Sequence, residues 1–74
     1  MCGIVVYLGN RDSVPILIKG LKRLEYRGYG FSGVGVVGEN GLQVVKRKGK
    51  VSRLGSMLED TPIRGSGGIG HTRG

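Results

Sequence analysis

Cysteine is almost missing from this chain. One residue, Cys2, stands in 74. A single thiol cannot close an intrachain disulfide, so no disulfide framework supports the fold, and a lone thiol suits a reducing compartment. Tryptophan is absent and aromatic residues make up 5% of the chain. With no aromatics interleaved within the Lys19–Arg23 or 46–50 cation groups, those groups lack the stacking platform of a single-stranded nucleic-acid surface. Acidic residues are scarce, five against 12 Lys+Arg, for a formal charge of +7. There is no metal-ligand cluster, so neither metal nor other cofactor is expected. Long apolar runs are missing too. The longest, over residues 3–8, is too short to cross a bilayer, and no basic leader precedes it. The expectation is a cytoplasmic protein with no membrane partner.

Glycine is what the chain has in excess, at 16 residues. That favours turns and close backbone approaches over a large core. The length allows one small domain, and a chain this short buries only about 60% of its unfolded surface. Most of the cations fall in three places: Lys19, Lys22 and Arg23; residues 46–50; and Arg64 with Arg73. Solvated faces or phosphorylated small-molecule partners fit this placement better than nucleic acid.

Gly3-Ile4-Val5-Val6-Tyr7-Leu8 reads as a buried strand ended by Gly9-Asn10. Asp12 or Ser13 can cap a helix, Pro15 is tolerated in its first turn, and Gly28 is a stop. Val14, Leu17, Ile18, Leu21 and Leu24 recur at helical spacing. Residues 33–38 read as a second strand, Asn40-Gly41 as a hairpin turn, and Leu42, Val44 and Val45 as a third strand. Ser52 can cap a second helix that turns Leu54, Met57 and Leu58 inward and breaks at Pro62. Residues 64–70 read as a Gly-rich turn leading to a fourth strand over residues 69–72. The order is strand-helix-strand-strand-helix-strand, and the hairpin favours α+β.

Three segments carry chemistry. Cys2 is either a small hydrophobe near a chain end or a nucleophile. If Met1 is removed, the thiol and a free α-amine share one residue, and their ordinary pKa values, about 8.5 and about 8, suit proton transfer between them. Arg27, in Glu25-Tyr26-Arg27-Gly28, either stabilises a helix end or faces a carboxylate. Gly70-His71-Thr72-Arg73 places a hydroxyl and a carboxylate-binding fork side by side. The Gly-rich Arg64-Gly65-Ser66-Gly67-Gly68 lacks the following Lys-Ser/Thr of a phosphate loop.

Taken together, Met1-Cys2-Gly3-Ile4-Val5, Arg23-Leu24-Glu25-Tyr26-Arg27-Gly28-Tyr29, Gly49-Lys50-Val51 and Gly70-His71-Thr72-Arg73 resemble the opening of the glutamine–fructose-6-phosphate aminotransferase (isomerizing) family, the glucosamine-6-phosphate synthases. The likeness runs along nearly the whole chain. Other Cys-Gly-opening amidotransferases, such as amidophosphoribosyltransferase, typically differ at the second and last segments. The resemblance implies that residues 1–74 are the N-terminal portion of a type 2 glutamine amidotransferase domain, part of an N-terminal-nucleophile αββα sandwich. It implies hydrolysis of glutamine, with the ammonia passed to a sugar-isomerase half that acts on fructose 6-phosphate, in a homo-oligomeric parent. By position, Cys2 is the implied nucleophile, Arg73 the clamp on the glutamine α-carboxylate with Thr72 beside it, and Arg27 part of the pocket wall, while His71 is structural. The implied oxyanion hole and sugar half lie outside these residues, so the chain alone is expected to be inactive. A non-enzymatic remnant or a basic interaction module on the same fold is the other reading.

Two departures from that family stand out. Where it reads Asp-Ser-Ala-Gly, this chain has Gly30-Phe31-Ser32-Gly33, and where it continues Trp-Ala-Thr-His-Gly, this chain has Gly74. One base inserted after the Tyr29 codon and one lost in the following Gly codon would produce the first departure in a single pair of events. Resequencing that finds unshifted Gly-Phe-Ser codons would remove that explanation.

Overall fold

The computed structural model describes residues 2–25 and 30–73. It is α+β: strand β1 (Cys2–Leu8), helix α1 (Ser13–Leu24), β2 (Phe31–Gly38), β3 (Gly41–Lys48), α2 (Val51–Asp60) and β4 (Gly67–Arg73). This is the element order expected from the sequence. The four strands form one sheet in the order β1-β4-β2-β3, with every neighbouring pair antiparallel. The last strand therefore enters the middle of the sheet, between the first strand and the hairpin.

Helix α1 starts where Asp12 accepts a hydrogen bond from the Val14 amide. Of the two cap candidates it is Asp12 that caps. Ser13 lies inside the helix, where its hydroxyl and its amide both donate to the Gly65 carbonyl at 2.7 Å. That pair fastens the start of α1 to the segment entering β4. Leu17 and Leu21 are fully buried, and Val14 and Ile18 pack beside them. Each buried leucine contributes about 1.5–3 kcal/mol. The opposite face carries the exposed Lys19, Lys22 and Arg23. The helix ends at Leu24, and the Gly28 expected to stop it lies outside the described residues.

Both helices cover the same face of the sheet. One core joins Leu17 and Leu21 to Val34 and Val36 of β2 and to Val51, Leu54 and Leu58 of α2. Residues 67 and 68, expected to form a turn, are strand instead, so β4 begins two residues before the expected start. The reason is close approach: a Cβ on Gly68 would lie 2.9 Å from Leu17 Cδ1, and one on Gly70 3.0 Å from Leu21 Cδ1. Glycine in β4 lets α1 settle on the strand.

Three further expectations change. The first strand is covered on one side only: its burial alternates, and Ile4, Val6 and Leu8 are exposed. Antiparallel sheets commonly pack one face and leave the other open. Ser52 does not cap α2. The helix begins two residues earlier, its N-cap Lys50 makes no side-chain cap bond, and the Glu25 carboxylate accepts from the Val51 amide at 2.5 Å. That shift buries Val51 and leaves Met57 37% exposed. At the hairpin, Gly38 pairs with Gly41, so Glu39 and Asn40 form the loop, and the positive φ of +85° falls on Gly41. Asn40-Gly41 is therefore not the centre of a type I′ turn, which needs positive φ at both residues.

Candidate functional site

In an antiparallel sheet, residues directly opposite one another send their side chains to the same face. The register therefore assigns the open face row by row. Cys2 lies opposite Arg73, Arg73 opposite Phe31, and Phe31 opposite Lys48. The next row holds Ile4, His71, Gly33 and Lys46, the third Val6, Ile69, Gly35 and Val44, and the fourth Leu8, Gly67, Val37 and Leu42. One end of this face thus carries the thiol and the cations, and the other end is apolar.

The thiol of Cys2 is free and exposed. Directly opposed Cα atoms in such a pair stand about 4.5–5.5 Å apart. The Arg73 guanidinium is therefore within side-chain reach of whatever the thiol attacks. The backbone around Arg73 is fixed from the far side, because the Gly30 amide donates to the Arg73 carbonyl at 2.7 Å and the Gly49 amide to the Gly30 carbonyl at 3.0 Å. His71 sits in the adjacent row, diagonal to Cys2. A Cβ on Gly33 would lie 3.1 Å from His71 Nε2 and 3.0 Å from Lys46 Cγ. These two side chains meet over a glycine that leaves them room.

Thr72 goes to the other face. It is half-buried beneath the helix layer, with its Oγ1 3.3 Å from where a Cβ on Gly3 would stand and Leu24 next to it. The structure therefore brings Cys2 and Arg73 together and separates the Thr72 side chain from them. Arg27 lies outside the described residues. Among the described residues, no group of three or more His, Cys, Asp or Glu side chains gathers to hold a metal ion. No helix among them is long and apolar enough to cross a membrane.

Phe31 and Lys48 join the row of Cys2 and Arg73, and Lys46 joins that of His71, without having been singled out as site residues. The signal was present in the hairpin. Counting back from the Gly38–Gly41 pair sets Phe31 against Lys48 and Gly33 against Lys46, but the sequence does not say that β4 slots in beside β2.

Comparison with known proteins places this chain plainly. It is 53% identical over 73 residues to glutamine–fructose-6-phosphate aminotransferase (isomerizing) of Thermus thermophilus, and the match covers 99% of this chain and 12% of that protein. It is 57% identical to the enzyme of the same name from Bacteroides thetaiotaomicron, and 53% identical to that of Gloeobacter violaceus, with the same two shares covered. The chain thus spans 12% of the length of these relatives. No family model matches it.

Proposed function

From the match of these residues to the N-terminal part of the glutamine–fructose-6-phosphate aminotransferases, we propose that the chain supplies the nucleophile and the carboxylate clamp of a glutaminase site. In the parent enzyme, glutamine gives up its amide nitrogen and fructose 6-phosphate receives it, in the cytoplasm and within a homo-oligomer. The observation that carries the reading is the pairing of Cys2 with Arg73 across the two neighbouring strands on the open face.

The chemistry follows from those two side chains. With Met1 removed, the α-amine of Cys2 takes the thiol proton, directly or through a water. The Arg73 fork holds the α-carboxylate of glutamine and so fixes how far the side-chain amide extends. The thiolate adds to the amide carbon, and the tetrahedral adduct then expels ammonia as its nitrogen gains a proton. A thioester to Cys2 remains, and water hydrolyses it to glutamate and free thiol. Stabilising the adduct needs donors to its oxygen, and losing one such donor costs about 100- to 1,000-fold in rate. Those donors, like the group that receives the substrate's α-ammonium, belong to the rest of the parent chain. The 74 residues alone therefore bind and align but do not turn over.

The test uses the chain with Met1 removed and a glutamine analogue bearing an electrophilic carbon at the amide position, read by intact mass. Labelling confined to Cys2, blocked by glutamine and slowed at least about tenfold in Arg73→Ala supports the reading. Labelling no faster than by a simple alkylating agent and indifferent to Arg73 would overturn it. Ammonia release from glutamine by the isolated chain, lost in Cys2→Ala, would overturn the prediction that it does not turn over.

A further inference from the structure

We infer that the outer edge of β1 pairs with the β1 edge of a second copy of this chain, antiparallel about a two-fold axis. β1 and β3 are the two edge strands of the sheet. β3 ends in Lys46, Arg47 and Lys48, and cations on an edge deter pairing with another sheet. β1 has neither a charge nor a proline in its seven residues, and its register with β4 runs unbroken from Cys2 to Leu8. Among the described residues, no strand covers its outer side. One edge is guarded against pairing and the other is open to it.

Which backbone groups point outward follows from the register. Gly9 donates to the Ser66 carbonyl at 3.1 Å, one rung beyond Leu8 opposite Gly67. In an antiparallel pair, bonded rungs alternate with unbonded ones. The amides and carbonyls of Gly3, Val5 and Tyr7 therefore turn to β4, and those of Cys2, Ile4, Val6 and Leu8 turn outward. Counting across the sheet from the Gly38–Gly41 pair that closes the hairpin gives the same phase. A two-fold axis at Val5 sets Ile4 opposite the second copy's Val6 and Cys2 opposite its Leu8. Every outward amide then meets an outward carbonyl. The unbonded rungs set Val5 opposite its counterpart and Gly3 opposite the second copy's Tyr7, the smallest residue against the largest. A contact of this kind uses the same patch on both copies and closes at two chains.

The helix layer leaves room for the pairing. α1 lies over β1 and β4 alike: Gly20 meets Val5 and Leu24 meets Gly3 on one strand, Leu17 meets Gly68 and Leu21 meets Gly70 on the other. Its axis thus stands half a strand spacing inside β1. With strands about 4.8 Å apart, the two copies of α1 come to stand about 10 Å apart, close to the separation of packed helices. The cations of β3 are three strands from the joint, about 14 Å, beyond the Debye length at physiological salt. Arg73 lies beside Cys2, and the two-fold sends the two Cys2 ends about 20 Å apart along the strand. For the same reason Cys2 cannot form a disulfide across the joint.

The test is NMR of the 74-residue chain under a thiol reductant, from about 20 μM to about 1 mM. As concentration rises, the Ile4 and Val6 amides should gain at least about threefold protection from hydrogen exchange relative to Val5, which is already bonded to β4. A nuclear Overhauser contact should appear between the Hα atoms of Gly3 and Tyr7. Within one chain these lie about 13 Å apart, so the contact reports pairing between chains. Ile4→Pro removes an outward N–H without touching the rungs to β4, and should abolish both the Val6 protection and the Gly3–Tyr7 contact. Ile4→Ala takes the same side chain off the open face but keeps the N–H, and should retain both. Dispersed spectra confirm that each variant folds, and the wild-type signals decide the matter if the proline variant does not. Association that is equal in the two variants, or that lacks the Gly3–Tyr7 contact in the wild type, would overturn the inference, because the copies would then meet through their open faces. So would a dimer that the reductant dissolves. So would a chain that stays single to about 1 mM, even where an added strand-forming peptide protects Ile4 and Val6, because the edge would then take a different partner.

Discussion

Ser32 is 1% exposed, and its hydroxyl has no hydrogen-bond partner, the only buried side-chain polar atom so left among the described residues. It stands on β2 under the helix layer, where the neighbouring Val34 and Val36 are apolar and buried. An unsatisfied buried hydroxyl costs about 1–3 kcal/mol. Ser32→Ala should therefore stabilise the chain by about 1 kcal/mol, seen as a higher urea midpoint at unchanged slope. Ser13 is as deeply buried but bonded to Gly65, so Ser13→Ala should cost about 1 kcal/mol in the same measurement. The opposite signs at two buried serines separate satisfaction of the hydroxyl from burial itself. Glycine makes the complementary case. Gly68→Ala would push a methyl to 2.9 Å from both Leu17 Cδ1 and the Gly35 carbonyl oxygen. The backbone oxygen has little room to retreat, so a loss of about 1–3 kcal/mol is expected by thermal unfolding.

At the scale of elements, the helices and strands were legible because their signals are local. The spacing of Leu17, Ile18 and Leu21 marks α1, and Asp12 marks its start. What was not legible depends on partners distant in sequence. The start of α2 was misplaced by two residues because its capping group, Glu25, is 26 positions away, and no window along the chain connects the two. The turn expected at residues 64–70 ends early, with strand from Gly67, for the same kind of reason: Gly68 and Gly70 answer to Leu17 and Leu21 of α1, not to a bend. Glu25 ties the end of α1 to the start of α2. Glu25→Ala should cost about 1 kcal/mol, while Glu25→Gln, which keeps an acceptor oxygen, should cost less. Hydrogen exchange at the Val51 amide gives the sharper reading. Protection there should fall in Glu25→Ala while the amides of β4 stay protected. Equal loss at both would mean that Glu25 acts on the whole fold instead of on this helix end.

For the whole molecule, the consequence of two helices on one face is an apolar second face. Val6 is 69%, Leu8 87% and Leu42 67% exposed, and Ile4, Ile69, Val37 and Val44 share that side. Motifs alone singled out Cys2 and Arg73 as candidates. That they meet was not legible, because the pairing of β1 with β4 joins the two ends of the chain and depends on a sheet order that no local pattern states. The same order fixes which residues face outward, and this makes it testable with two adjacent residues. Val6 lies on the open face opposite Ile69, while Val5 packs against the core beneath Gly20. A patch this apolar should make the 74-residue chain associate as its concentration rises. Val6→Lys places a charge in the centre of that patch, where solvent reaches it. It should reduce association by at least about tenfold in sedimentation velocity and move the unfolding midpoint by only a few degrees. Val5→Lys makes the same chemical change one residue earlier but drives the ammonium under α1. Burying an unpaired charge there should cost several kcal/mol and unfold so marginal a domain. If both variants behaved alike, the strand would not present its alternate residues to core and solvent. The row that joins Cys2, Arg73, Phe31 and Lys48 on one face would then lose its basis.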